Sequence, residues 1–288
     1  SGSCASGLRT RCNWQHTCIH DTHPNTMKLN IVPARTGLLW VQLGLRTFWT
    51  QPLALAGLFF LFMTAMSVLS LVPYIGIALA LALLPAATLG LMAATREASL
   101  GKFPMPSILV SAFRAGRQRA RAIGELGAIY ALGFLAVLGV SALVDGGSFA
   151  RLYLVGGTIT PELVQSSDFQ LAMWVAMGLY LPLSMLFWYA PALVHWHGLT
   201  PGKSLFFSAV ACFRSFGAMA VFTLVWMGLF IAVGLLIMLL AVLLGQPELM
   251  SMLFFPVAML LGAMFFSSIY FTFRDSFVAE EADTPAPS

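Results

Sequence analysis

Apolar residues in this chain come in long unbroken runs, not in the alternating pattern of a strand or the half-polar stripe of a soluble helix. A helix needs about 20 apolar residues to cross a bilayer core of ~30 Å. Six runs qualify: 52–72, 74–95, 123–144, 171–195, 216–244 and 251–273. Only a tight turn at 73–76 separates the first two, and Gln246-Pro247-Glu248 separates the last two, so both pairs read as antiparallel hairpins. The fold class read from this pattern is all-α: a polytopic membrane protein with six transmembrane helices.

Composition agrees with the pattern. The chain is 59% hydrophobic and 9% charged, against about 25% charged in a soluble domain. Lipid must therefore solvate much of its apolar surface. A pI near 9.0 raises the question of nucleic acid, but the net charge is only +4 and the cations flank apolar runs. Their placement sets an orientation instead. Lys28, Arg35, Arg46, Arg96, Lys102, Arg114, Arg117, Arg119, Arg121, Lys203, Arg214 and Arg274 fall on one side, and Arg151 falls on the other among Asp145, Glu162, Asp168 and Glu248. Both termini are expected in the cytoplasm.

Residues 27–277 read as one membrane domain and 278–288 as a disordered acidic tail. Residues 1–26 are unlike the rest of the chain. They are polar, with Cys12, His16, Cys18, His20 and His23 but no apolar run. They lack the core of a signal peptide, and their spacing fits no standard zinc motif. They read as a disordered extension or as sequence upstream of a start at Met27, with no metal.

The chain also matches itself at an offset of 97: Gly101, Pro104, Ser107, Ser111 and Ala112 recur as Gly198, Pro201, Ser204, Ser208 and Ala209. Leu84 and Pro85 recur as Leu181 and Pro182. The implied repeat is an amphipathic lead-in helix followed by a helical hairpin, in three copies. In the first, Arg35, Gln42, Arg46 and Thr50 fall on one face, with Leu38, Val41, Leu45 and Phe48 opposite. Arg114, Arg117, Gln118, Arg121 and Glu125 form the polar face of the second; Ser204, Ser208 and Arg214 form that of the third. Such helices lie in the headgroup plane or extend the spans into the cytoplasm; the first is favoured.

Candidate chemistry is sparse. No charged residue lies inside a span, where it would indicate an ion path or a catalytic centre. Glu125 stands four residues from Arg121 and reads as half of an interfacial ion pair; Arg96-Glu97 reads the same way. Arg114, Arg117, Arg119 and Arg121 are candidate contacts for anionic headgroups. Pro85 and Pro182, near mid-span, are candidate kinks that either aid packing or border a binding site at the bilayer midplane. His195 and His197 point about 200° apart on a helix, a poor clasp for a metal. With Trp188, Tyr189 and Trp196 they read as an interfacial belt. Ala86/Gly90 marks a close helix approach. No cofactor is expected.

The stretches "VPARTGLLWV", "QPLALAGLFFLFM", "LPAATLGLMAATREA", "YLPLSMLFWYAPALVHWHG" and "YFTFRDSF" resemble an uncharacterised family of proteobacterial multi-helix inner-membrane proteins. The resemblance covers Met27 to Phe277. It implies a bacterial source and an inner-membrane location, and supplies no activity or site residues.

Two functions fit: a non-enzymatic protein that binds or moves a lipid or small apolar solute, or an accessory subunit that docks a partner, or a second copy of itself, through its lead-in helices. Polar groups converging on His195 or Glu125 would instead point to an enzyme. Membrane lipids are the expected partners and nucleic acid is not. Reporter fusions test the topology: one after Phe277 should report the cytoplasm and one within 146–167 the opposite side. A cytoplasmic signal from the second would refute it.

Overall fold

The structure, a computed structural model, describes residues 27–73, 75–156, 160–246 and 248–279. The Cys- and His-rich tail and the residues after Ala279, on which the readings of disorder and of zinc ligation fell, lie outside them.

Strand β1 (Met27–Leu29) precedes α1 (Thr36–Thr50), α2 (Pro52–Ser70) and α3 (Gly76–Ser99). A 3-10 turn (Pro106–Val110) runs into the short α4 (Ser111–Arg114). Next come α5 (Arg117–Asp145), α6 (Ser148–Val155), α7 (Pro161–Gln165), α8 (Ser167–Phe187), α9 (Ala190–His197), α10 (Pro201–Arg214), α11 (Phe216–Leu243) and α12 (Glu248–Ser276). Strand β2 (Phe277–Ala279) closes the order by pairing antiparallel with β1, Lys28 opposite Val278.

Six helical stretches are long and apolar enough to cross a membrane: α2, α3, α5, α8 with α9, α11 and α12. Their starts are set locally. Pro52 opens α2 at a position where its missing N–H costs nothing. The Asp145 carboxylate accepts from Gly147 N at 2.9 Å and Phe149 N at 2.6 Å, turning the chain from α5 into α6. Helix α6 thereby folds back on its own span. Tyr153 of α6 lies 5.5 Å from Phe134 of α5, ring centre to ring centre.

Helix α12 is the spine, packed against α1, α2, α3 and α11. One of its faces carries Ser268, Thr272 and Asp275, spaced four and three residues apart. Each accepts an indole N–H from a different part of the chain: Trp226 of α11 donates to Ser268 Oγ at 3.1 Å, Trp188 to Thr272 Oγ1 at 3.1 Å, and Trp40 of α1 to Asp275 Oδ2 at 3.0 Å. The last bond explains a rotation of α1. Its buried stripe is Gly37, Trp40, Val41, Gly44, Thr47 and Phe48, centred on a Trp40 that is 0% exposed. The stripe expected from sequence included Leu38, which is 45% exposed.

Other expectations are corrected. Helices α3 and α8 run on through Pro85 and Pro182. Pro85 is buried and Pro182 exposed. The span breaks instead at Pro191, whose ring cannot sit beside the carbonyl four residues back, at Phe187, where α8 ends. Ser208 of α10 repairs the break: its hydroxyl accepts from Tyr189 N at 3.0 Å and donates to Met185 O at 2.8 Å. Nearby, burial pushes the Cys212 thiol up to about 12, leaving it protonated and inert at neutral pH. Finally, the four arginines do not share a helix. Gly116, at φ 104°, separates Arg114 on α4 from Arg117, Arg119 and Arg121 in the first turns of α5.

An indole N–H without a partner is costly where no water competes. S268A and W226F should each destabilise the protein by roughly 1–3 kcal/mol. The double variant should cost clearly less than the sum. Thermal unfolding in detergent checks this, and additivity within about 0.5 kcal/mol would show that the bond carries no coupling.

Candidate functional site

The end of α3 begins the site. After Ser99 the chain reverses: Gly101 N donates to Ala98 O at 3.0 Å and Lys102 N to Glu97 O at 3.0 Å, which brings Lys102 back over Glu97. Gln51, between α1 and α2, holds this reversal by donating its side-chain amide to Lys102 O at 3.2 Å. The 3-10 turn then lies directly on α3, because Gly90 has no side chain. A Cβ there would come within 2.7 Å of Leu109 Cα. The close approach read from Ala86/Gly90 is therefore real, but the partner is this turn and not another helix.

The result is a cavity of about 590 Å³ at the arginine-rich end of the bundle. Exposed Lys102, Phe103, Met105, Ser107 and Arg114 form its rim; the more covered Glu97, Ile108, Ser111, Ala115 and His195 form its floor. Two floor residues present a buried polar atom without a hydrogen-bond partner, Ser111 Oγ and His195 Nδ1. A third such atom, Gln51 Oε1, belongs to the side chain that holds Lys102. Buried polar atoms are nearly always paired, so orphaned groups concentrated around one cavity are its most informative feature. Charge adds to it: among the described residues Glu97, Lys102 and Arg114 form no ion pair, with each other or elsewhere.

Of the residues singled out from sequence, Arg114 and His195 meet in this cavity. Arg117, Arg119 and Arg121 lie outside its lining and are exposed, and Arg121 pairs with Glu125 at 3.0 Å on the surface. The expected Arg96–Glu97 pair is absent: the Arg96 guanidinium lies 5.8 Å from the centre of the Trp196 ring. Of the residues read as a belt, only Tyr189 is corrected; Trp188, His195, Trp196 and His197 are half-buried. A belt faces lipid, whereas Tyr189 is 0% exposed. Trp188 packs on Phe222 and Phe265. Trp196 stacks on Phe273 with ring centres 5.0 Å apart, and His197 lies 6.0 Å from the same ring. Aromatic neighbours on α11 and α12 thus pack against these rings. His195 faces Arg96 and Arg119.

Glu97, Lys102, Ser107 and Ser111 join the site without having been expected there. The available signal was the density of polar residues between Arg96 and Arg114, beside Gly and Pro turn markers. Ser111 and Ser208 stand 97 residues apart, at matched positions of the self-similarity. Ser208 fills the gap made by Pro191, but α3 has no such gap, and the matching hydroxyl of Ser111 is left buried without a partner. Among the described residues no group of three His, Cys, Asp or Glu could hold a metal ion.

Over 262 residues the chain is 38% identical to a protein of Burkholderia thailandensis described as a "probable inner membrane protein". The alignment takes in 90% of this chain and 97% of that one. No family model and no solved structure matches the chain.

The two serines should separate on mutation. S208A strands a backbone N–H and a carbonyl and should cost roughly 1–3 kcal/mol. S111A removes a hydroxyl that has no partner and should leave the unfolding midpoint unchanged or raise it. Equal losses in the two variants would mean that the Ser111 hydroxyl is structural.

Proposed function

Since the chain belongs to the same family as the Burkholderia thailandensis inner-membrane protein, we propose that it is a multi-pass inner-membrane protein, with both termini cytoplasmic, that binds a lipid at its arginine-rich end. The observation that carries this reading is a cavity whose rim is part cationic and part apolar, with Glu97, Ser111 and His195 among its lining residues. Lys102 and Arg114 supply charge for a phosphate, and the exposed Phe103 and Met105 supply a surface for the start of an acyl chain. A purely apolar solute would leave the charges of Lys102 and Arg114 unused.

The short helices before α2, α5 and α11 fit a place at the headgroup level. Each is followed by a break in the chain, at Gln51, Gly116 and Ser215. Trp49, Phe113, Phe206 and Phe213 project outward from them, the amphipathic anchoring expected of helices lying in the interface. The same outward rings give the accessory-subunit reading its support. The helices before α5 and α11 are read as copies of one unit, with the 97-residue self-similarity as the evidence.

Glu97, Ser111 and His195 in one cavity have the composition of an acid–base–nucleophile triad. Such a triad works through two hydrogen bonds, nucleophile to base and base to acid. Here neither Ser111 Oγ nor His195 Nδ1 has a partner, so neither link is made. The reading carried here is binding; turnover of a bound lipid by the wild-type protein, lost in S111A, would replace it with an enzyme.

The test is native mass spectrometry of the detergent-purified full chain with its co-purifying lipids. One phospholipid per protein should survive delipidating washes, and R114Q with K102Q should release it. A protein that retains no lipid beyond what R114Q/K102Q retains would overturn the proposal.

A further inference from the structure

We propose that the bound headgroup is zwitterionic, carrying a phosphodiester and a primary ammonium together. The inference rests on the lipid-binding reading and specifies its ligand. It starts from the charges on the cavity wall. Lys102 and Arg114 bring two positive charges and Glu97 one negative charge into the same space. Opposite charges this near normally pair, yet among the described residues none of the three forms an ion pair. Their backbone positions keep them separate. Glu97 belongs to the last turn of α3, Lys102 sits on the reversal that follows, and Arg114 ends α4 across the cavity.

A wall arranged this way discriminates among headgroups. A phosphodiester with no cationic end would satisfy Lys102 and Arg114 but leave the Glu97 carboxylate facing a second anion. A phosphomonoester, with more negative charge, would make that worse. A quaternary ammonium brings the cation but no N–H, so the carboxylate gains attraction without a hydrogen bond. Only a primary ammonium beside a phosphodiester gives each wall charge a partner and the carboxylate a charge-assisted hydrogen bond. The lipid carrying such a headgroup and the free glycerophospho-amine share this chemistry. The exposed Phe103 and Met105 at the rim favour the lipid.

The test is a titration of the detergent-purified full chain, followed by native mass spectrometry, with dioleoyl phosphatidylethanolamine, phosphatidylglycerol or phosphatidylcholine. Water-soluble glycerophosphoethanolamine is a separate arm. Phosphatidylethanolamine should bind about tenfold or more tighter than either other lipid, the worth of one hydrogen bond to a charged group. E97Q should bring the three lipids within about twofold of one another, while E97D, which keeps the charge, should retain the preference. R114Q should weaken all three. If the glycerophospho-amine binds as tightly as the lipid, the ligand is the free headgroup and the zwitterion assignment stands. Phosphatidylglycerol binding as tightly as phosphatidylethanolamine, or a preference that survives in E97Q, overturns the zwitterion while lipid binding stands. Absence of saturable binding by any of the four ligands overturns both.

Discussion

A lone N–H inside a bilayer has no water to turn to, and this constraint organises the bundle. Tryptophan supplies apolar bulk, but each ring brings one donor that must be met. Trp226, Trp188 and Trp40 all meet it on the same face of α12, at Ser268, Thr272 and Asp275. Dispersion forces between helices and lipid are nearly as good as those between helices, so apolar packing alone would leave α1 and α11 free to rotate. Two directional bonds fix their rotation about α12, and the third, from Trp188, ties in the break between α8 and α9. The position of α1 then fixes Gln51, and Gln51 in turn holds the reversal that carries Lys102. The cavity is thus built, several steps removed, on a tryptophan ladder that it does not touch.

How much of this was legible follows from what each feature depends on. The six spans depend on length and hydropathy, quantities that belong to a segment alone, and the sequence reading located each to within a few residues. The face that α1 buries depends on a hydrogen bond to Asp275, 235 residues away, so local periodicity placed Leu38 where Trp40 belongs. The ring contacts of Trp196 were illegible for the same reason: an amphipathic ring at the end of a span gives no sign in the sequence that it packs on Phe273. Pro182 was given weight that belonged to Pro191. Both sit in apolar helix, and only the partner hydroxyl on α10 shows which one ends a helix.

The cavity was half legible. Arg114 and His195 were marked as residues of interest, but one was assigned to a basic stripe and the other to a belt. What joins them is the 3-10 turn lying against Gly90, which a search for amphipathic helices does not register. The comparison of Ser111 with Ser208 carries the general lesson. A matched pair of residues in a self-similar chain need not share a task. One hydroxyl closes a gap in the backbone; the other, where no gap exists, is available for something else.

The pairing of Met27–Leu29 with Phe277–Ala279 bears on the order in which the molecule is assembled. The strand made first finds its partner only after the last span has left the ribosome, and Trp40 waits almost as long for Asp275. Contacts this distant in sequence form late. Through most of synthesis α1 therefore has a bare indole and an unmatched face, while the central hairpins of α3, α5 and α8 already have neighbours to pack against. The clasp marks completion: it exists only in a molecule whose every span is in place, and it holds both ends of the domain on the same side of whatever membrane it crosses.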